Sequence, residues 1–114
     1  MEPEPDLLKR RELVGAAELA LMKPTSRLIN TSRGPTVDES WLIKALRSHV
    51  LAGAAIEVFE EEPLPAQHPF GSMDNVLATP HIGYVSQSLY RTFYEGSLPN
   101  ITAWLDSWDK NKAE

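Results

Sequence analysis

Residues 28–39 read Leu-Ile-Asn-Thr-Ser-Arg-Gly-Pro-Thr-Val-Asp-Glu. Leu28 and Ile29 form a short apolar run. Asn30, Thr31 and Ser32 turn it polar, Arg33 follows, and Gly34-Pro35 makes a turn. Asp38 then suits a helix N-cap, because its carboxylate can accept a hydrogen bond from a first-turn amide. The order predicts a buried strand, a crowded turn at its carboxyl end, and the start of a helix. In open α/β sheets, ligands bind just outside the carboxyl ends of the strands. An arginine placed there can grip a carboxylate through two parallel N–H···O bonds, a geometry that lysine lacks. Taken alone, the stretch fits a solvated loop cation equally well.

Working outward, the helix capped by Asp38 runs through Trp41, Leu42, Ile43, Ala45 and Leu46, with Trp41, Ala45 and Leu46 on one face. Lys44 and Arg47 fall late in it, near the negative end of its dipole. Residues 50–59 are apolar apart from Glu57, and such runs suit a parallel strand buried on both faces. Strand, helix and strand in this order make one βαβ unit. Residues 75–79 form a third short strand, ended by Pro80, His81 and Gly83. The class is therefore α/β, with three parallel strands near residues 28–31, 53–58 and 75–78. Upstream, residues 15–22 give one or two helical turns stopped by Pro24. Downstream, residues 87–108 read as a long helix with Leu89, Phe93, Ile101, Trp104 and Leu105 as its apolar positions. Pro99 is expected to break or kink it. Residues 1–12 read as a leader, frayed over Met1–Asp6, and residues 109–114 as a polar, fraying tail.

Composition narrows the class of partner. A net charge of −5 argues against nucleic acid, since phosphate binding wants a basic face. The absence of cysteine removes disulfides, thiolate chemistry and cysteine-ligated metal. No basic flank is followed by a long apolar run, so neither a signal peptide nor a membrane span is expected, and a cytoplasmic location is the default. At 114 residues the chain is one small domain or a piece of a larger one.

Three candidates stand at strand ends: Arg33 after the first, Glu62 after the second, His81 after the third. Parallel strands bring those ends to one edge. A histidine suits general acid/base work near neutral pH. A carboxylate on its other ring nitrogen fixes the tautomer, and an arginine holds an acidic substrate. By spacing alone such a trio is weak evidence in a chain with 16 acids, 11 bases and three histidines. The bland alternatives are a loop-capping role for His81 and solvated charges at Glu60, Glu61 and Glu62. His49 and His68 are read as solvated, and Trp41, Trp104 and Trp108 as packing anchors.

The strings themselves carry more. Residues 29–35 with Val37-Asp38-Glu39 resemble the arginine-bearing signature of the D-isomer-specific 2-hydroxyacid dehydrogenases. Residues 52–59, followed by Glu62-Pro63-Leu64, resemble the glutamate-bearing signature of that family, and residues 75–83 (Asn-Val-Leu-Ala-Thr-Pro-His-Ile-Gly) its histidine signature. Residues 18–24 match the lead-in. The resemblance runs in order from about Leu13 to Leu105. It implies a partial Rossmann-type parallel sheet, the second half of a dinucleotide-binding domain with a returning C-terminal helix. It also implies hydride transfer between NAD or NADP and a 2-oxo or 2-hydroxy acid. In that scheme Arg33 binds the substrate carboxylate and carbonyl, His81 is the acid/base, and Glu62 pairs with His81. Thr31, Ser32 and Arg33, together with His81, Ile82, Gly83 and Tyr84, line the nicotinamide side of the cofactor.

Two departures follow from the same comparison. Glu57 stands where the family has an aspartate that contacts the nicotinamide carboxamide. One extra methylene displaces that carboxylate, and a misplacement of about 1 Å can cost about a hundredfold in rate. The family's phosphate-seating G-x-G-x-x-G turn has no counterpart: no two of Gly15, Gly34, Gly53, Gly71, Gly83 and Gly96 are two residues apart. The expected molecule is thus a truncated oxidoreductase with its catalytic trio present and the main cofactor grip missing. A homodimer or a partner would supply the missing half, and the alternative is a non-catalytic remnant or interaction module. Unpaired strand edges and an open sheet face are expected in either case.

Overall fold

The turn that follows Ile29 closes on Asn30. Its Nδ2 donates to the Arg33 carbonyl (3.0 Å), and its Oδ1 accepts from the Ser32 backbone N–H (3.1 Å) and hydroxyl (3.0 Å). Asn30 is buried, so these bonds replace the water its amide loses. The computed structural model describes residues 11–112, and all but the last two residues of the leader expected over 1–12 lie outside them. The elements are α1 (Ala16–Ala20), β1 (Arg27–Asn30), a 3-10 turn (Gly34–Thr36), α2 (Glu39–Arg47) and β2 (Gly53–Ile56). A second 3-10 turn (Pro69–Ser72), β3 (Val76–Ala78) and α3 (Gln87–Lys112) complete the order. Two compact units divide the chain, Met1–Ile82 and Gly83–Glu114.

In the first unit the strands lie in the order β1-β2-β3, all parallel. Register places Ile29 beside Ala55 and Ala55 beside Leu77, which makes one row across the sheet. Side chains alternate between faces along a strand. Ile29, Ala55 and Leu77 therefore share one face, while Asn30, Ala54 and Ile56 point to the other. The second face is the core, where Ala54 and Ile56 cluster with Leu19 of α1, Leu42, Ala45 and Leu46 of α2, and Leu51. The first face is open: Ile29 is 72% and Leu77 65% exposed. The expectation that the second strand is buried on both faces is thus corrected. One face packs and the other does not, because α1 and α2 both contribute to the same side.

Asp38 caps α2 as its position predicts, with Oδ1 accepting the Trp41 N–H (3.1 Å). At the other end Asn75 Nδ2 donates to the Leu46 carbonyl (3.1 Å), satisfying one of the acceptors a helix leaves over. The buried stripe is Leu42, Ala45 and Leu46, spaced i, i+3, i+4. Trp41 sits at the flank of that stripe and is 45% exposed, with the Lys44 ammonium 4.2 Å from its ring centroid. The reading of the tryptophans as packing anchors fails for all three, since Trp104 and Trp108 are exposed too and stack on each other at 5.4 Å.

The second unit is built on α3. The helix runs past the expected end at Trp108 to Lys112 and continues through Pro99. Pro99 has no N–H for the carbonyl four residues back, and the helix accommodates that loss within one element. Its first turn is capped by Ser86 Oγ, which accepts the Leu89 N–H (3.3 Å). No residue of α3 is buried.

Candidate active site

Parallel strands end on one edge of the first unit, and three chemistry-bearing segments follow them there. Arg33 comes after β1, Glu57 and Glu62 after β2, and His81 after β3. His81 Nδ1 lies 2.9 Å from Glu62 Oε2. The other carboxylate oxygen, Oε1, accepts the Phe59 backbone N–H (3.0 Å). Glu62 is therefore held at both oxygens, one by backbone and one by the ring. About a third of each side chain is exposed. His81 itself has φ = 54°, in the left-handed region that a non-glycine residue enters at a cost of about 1–2 kcal/mol. Its N–H donates back to the Thr79 carbonyl (3.0 Å), which ties the tight bend after β3.

The hydrogen bond from His81 holds the Glu62 carboxyl below its ordinary value. The Phe59 amide acts in the same direction, and the charges of His81 and Arg33 add to it. A carboxyl lowered in the folded state contributes stability that is full above its unfolded pKa and is lost as pH falls through the folded pKa. The unfolding free energy is therefore expected to decline as pH drops below the ordinary glutamate range. Glu62→Gln should flatten that decline. Urea titrations of the two proteins between neutral and acid pH measure the difference, and parallel curves would contradict it.

Arg33 is extended at the start of the 3-10 turn, and its Nη1 donates to the Ser32 carbonyl (2.7 Å). Thr31 and Glu57 line a shallow groove of about 80 Å³ with Ile29, Ala55, Leu77 and Thr79, on the open face at the carboxyl edge. Glu57 stands just past the end of β2 and is partly exposed, so its charge is not buried in the strand. A second cavity, about 180 Å³, borders the pair and is walled by Phe59, Pro63, Leu64, Ala78, Thr79 and Pro80. Ile82 closes the first unit, whereas Gly83 and Tyr84 belong to the second, where the Tyr84 and Tyr90 rings lie 6.4 Å apart.

The small groove has an apolar floor, with Thr31, Glu57 and Thr79 as its polar groups. Its volume is well short of the ~300–1,000 Å³ that encloses a drug-sized ligand. The pyrophosphate end is a different matter. The helix that follows β1 carries Asp38 and Glu39 at its amino terminus, where the Asp38 carboxylate takes a first-turn amide that an anion would need. The groove offers hydrogen-bonding groups beside an apolar floor, whereas α2 opens with two carboxylates that repel an anion.

Residues 5–83 match the family described as D-isomer specific 2-hydroxyacid dehydrogenase, NAD binding domain. The chain belongs to that family. It is 44% identical over 93 residues to a glyoxylate reductase of Thermofilum pendens, covering 82% of this chain and 27% of that protein. A crystal structure of a D-isomer specific 2-hydroxyacid dehydrogenase from Xanthobacter autotrophicus, in complex with NADPH and MES, superposes with a TM-score of 0.63 at 46% identity. That match covers 72% of this chain and 26% of the other. The NADPH-dependent glyoxylate/hydroxypyruvate reductase of Sinorhizobium meliloti, in complex with citrate, gives a TM-score of 0.76 at 34% identity, over 85% of this chain and 31% of the other. The chain thus spans roughly a quarter to a third of the length of these dehydrogenase relatives.

Three features of the site escaped the sequence reading. Asn30 was read only as the point where the first strand turns polar, although an Asn whose side chain can accept from the amide two residues on is a recognisable turn signal. The left-handed φ of His81 has no signal beyond the Pro before it. His68, read as solvated, has a side chain only 13% exposed and lies 2.6 Å from Glu39. A single histidine in a proline-rich loop gives no warning of a partner 29 residues away.

Proposed function

We propose that this chain forms the active-site edge of an NAD(P)-dependent oxidoreductase that interconverts 2-oxo and 2-hydroxy acids. The observation that carries the reading is the His81–Glu62 pair at 2.9 Å, on the same sheet edge as Arg33. When bound, the nicotinamide supplies or accepts the hydride. Arg33 holds the substrate carboxylate through its guanidinium fork and polarises the neighbouring carbonyl. Glu62 accepts the Nδ1–H of His81, fixes that tautomer, and stabilises the imidazolium form. Proton exchange with the substrate oxygen then falls to Nε2. Glu57 would meet the nicotinamide carboxamide, while Thr31, Ser32 and Arg33, with His81, Ile82, Gly83 and Tyr84, would line the nicotinamide side of the cofactor.

The same reading makes turnover conditional. These 114 residues contain no glycine-rich phosphate turn, so that grip and the closure that excludes water must come from elements outside them. The open face bearing Ile29 and Leu77 favours a second reading, a non-catalytic interaction module that keeps part of a Rossmann sheet. An assay of NADH oxidation with a panel of 2-oxo acids at saturating cofactor separates the two. The chain alone is expected to show little or no rate. Any rate gained on adding a complementing polypeptide should fall about a hundredfold or more in Arg33→Ala and in His81→Ala. A rate indifferent to both changes would remove these residues from the mechanism.

A further inference from the structure

The segment that carries Glu62 is irregular, and both of its ends are tied to one carboxylate outside it. Glu39, the first residue of α2, accepts the Glu60 N–H at Oε2 (3.1 Å) and meets His68 Nε2 at Oε1 (2.6 Å). The Phe70 N–H donates to His68 Nδ1 (3.1 Å). A neutral imidazole has one acceptor nitrogen and one donor, so Nε2 carries the hydrogen and points it at Glu39. The ring of His68 lies against buried Phe70 at a centroid distance of 4.7 Å, and Phe70 reaches Phe59 at 6.2 Å. The amide of Phe59 is the group that fixes Glu62 Oε1. Arg11 reinforces the start of the segment through Glu60 (2.7 Å).

A circuit of contacts thus runs from Glu39 through His68, Phe70 and Phe59 to Glu62. The two hydrogen bonds on the partly exposed Glu62 carboxylate are each of small net worth and do not by themselves order the irregular loop that carries it. Tying both loop ends removes most of the conformations in which Glu62 misses His81. We propose that Glu39 and His68 are positioning residues, a clamp on loop 60–68 that sets the Glu62 carboxylate against His81. The proposal rests on the reading of His81 and Glu62 as the acid/base pair.

Three variants of the full chain separate the clamp from simple packing. His68→Phe keeps a ring on Phe70 but loses the donor. His68→Gln keeps a donor for Glu39 but loses the ring, and Glu39→Gln leaves one acceptor oxygen for two donors, the Glu60 N–H and the His68 Nε2–H. The readouts are the carboxyl NMR titration of Glu62 and amide exchange at Phe59. In His68→Phe and Glu39→Gln, Glu62 should titrate closer to the ordinary glutamate value, with Phe59 exchange on the order of tenfold faster. His68→Gln should retain most of the native behaviour. An unchanged Glu62 titration in His68→Phe or Glu39→Gln would overturn the clamp. So would loss of the folded spectrum in both, because the pair would then serve the fold and not the loop. Neither readout depends on turnover, so an intact clamp in a chain whose activity ignores Arg33 and His81 would count against the functional reading alone.

Discussion

Alanine at position 34 is expected to destabilise the first unit by about 3 kcal/mol, at the severe end of overpacking changes. Gly34 is buried, and a Cβ built on it would stand 2.0 Å from the Phe59 carbonyl carbon, 2.1 Å from its oxygen and 2.6 Å from the Glu60 nitrogen. All three atoms are backbone and cannot rotate away. The turn after β1 and the segment after β2 meet at that point, so relief requires moving either Arg33 or the loop that carries Glu62. The native φ is not in the left-handed region, which makes close approach the whole reason for glycine. Gly96→Ala is the control: nothing lies within 4 Å, and a helical glycine replaced by alanine gains about 0.5–1 kcal/mol in helix propensity. Urea unfolding of both variants measures the contrast. A Gly34→Ala protein with the native midpoint would show that the two segments are not in contact.

The chain alone is expected to bind NADH with a dissociation constant in the millimolar range. The carboxyl edge of the sheet holds a groove of about 80 Å³ whose polar groups come from Thr31, Glu57 and Thr79, and which under the proposed function takes the nicotinamide end. It offers the phosphates little. In dinucleotide sites a glycine-turn and helix amino terminus bind the pyrophosphate through backbone N–H groups. Here the amino terminus of α2, the helix that follows β1, is capped by Asp38 and bears Glu39 beside it. Losing that anion site by about 4 kcal/mol is roughly a thousandfold in dissociation constant, enough to take micromolar binding to millimolar. Calorimetric or fluorescence titration with NADH measures it directly. Micromolar binding by the chain alone would mean that some other part of the molecule grips the phosphates.

How much of this was legible in the residues differs from element to element. Asp38 announced the helix start because an N-cap is a local device, one side chain acting on amides three residues away. The strands were placed to within a few residues for a similar reason: apolar runs bounded by Pro and Gly carry their own ends. β1 nevertheless stops at Asn30, and Thr31 falls outside it, because the Asn30 side chain takes over the hydrogen bonding there. Trp41 was misplaced because neighbouring positions on a helix lie about 100° apart, and choosing the buried arc needs the sheet it packs on. The openness of the Ile29–Ala55–Leu77 face was foreseen in outline, but which row of residues it would expose follows only from the strand register.

The sequence by itself determined the α/β class, the parallel sheet and the identity of Arg33, Glu62 and His81 as candidates, because each rests on local pattern or on an ordered signature. Tertiary structure alone decided how those candidates are held. The bond from Phe59 to Glu62 Oε1, the left-handed bend at His81, the close approach at Gly34 and the Glu39–His68 contact are all products of where loops meet after the sheet has formed. No local propensity encodes such meetings. They depend on distances of a few ångströms between residues far apart in the chain, and only the packed sheet with α1 and α2 on one face sets those distances.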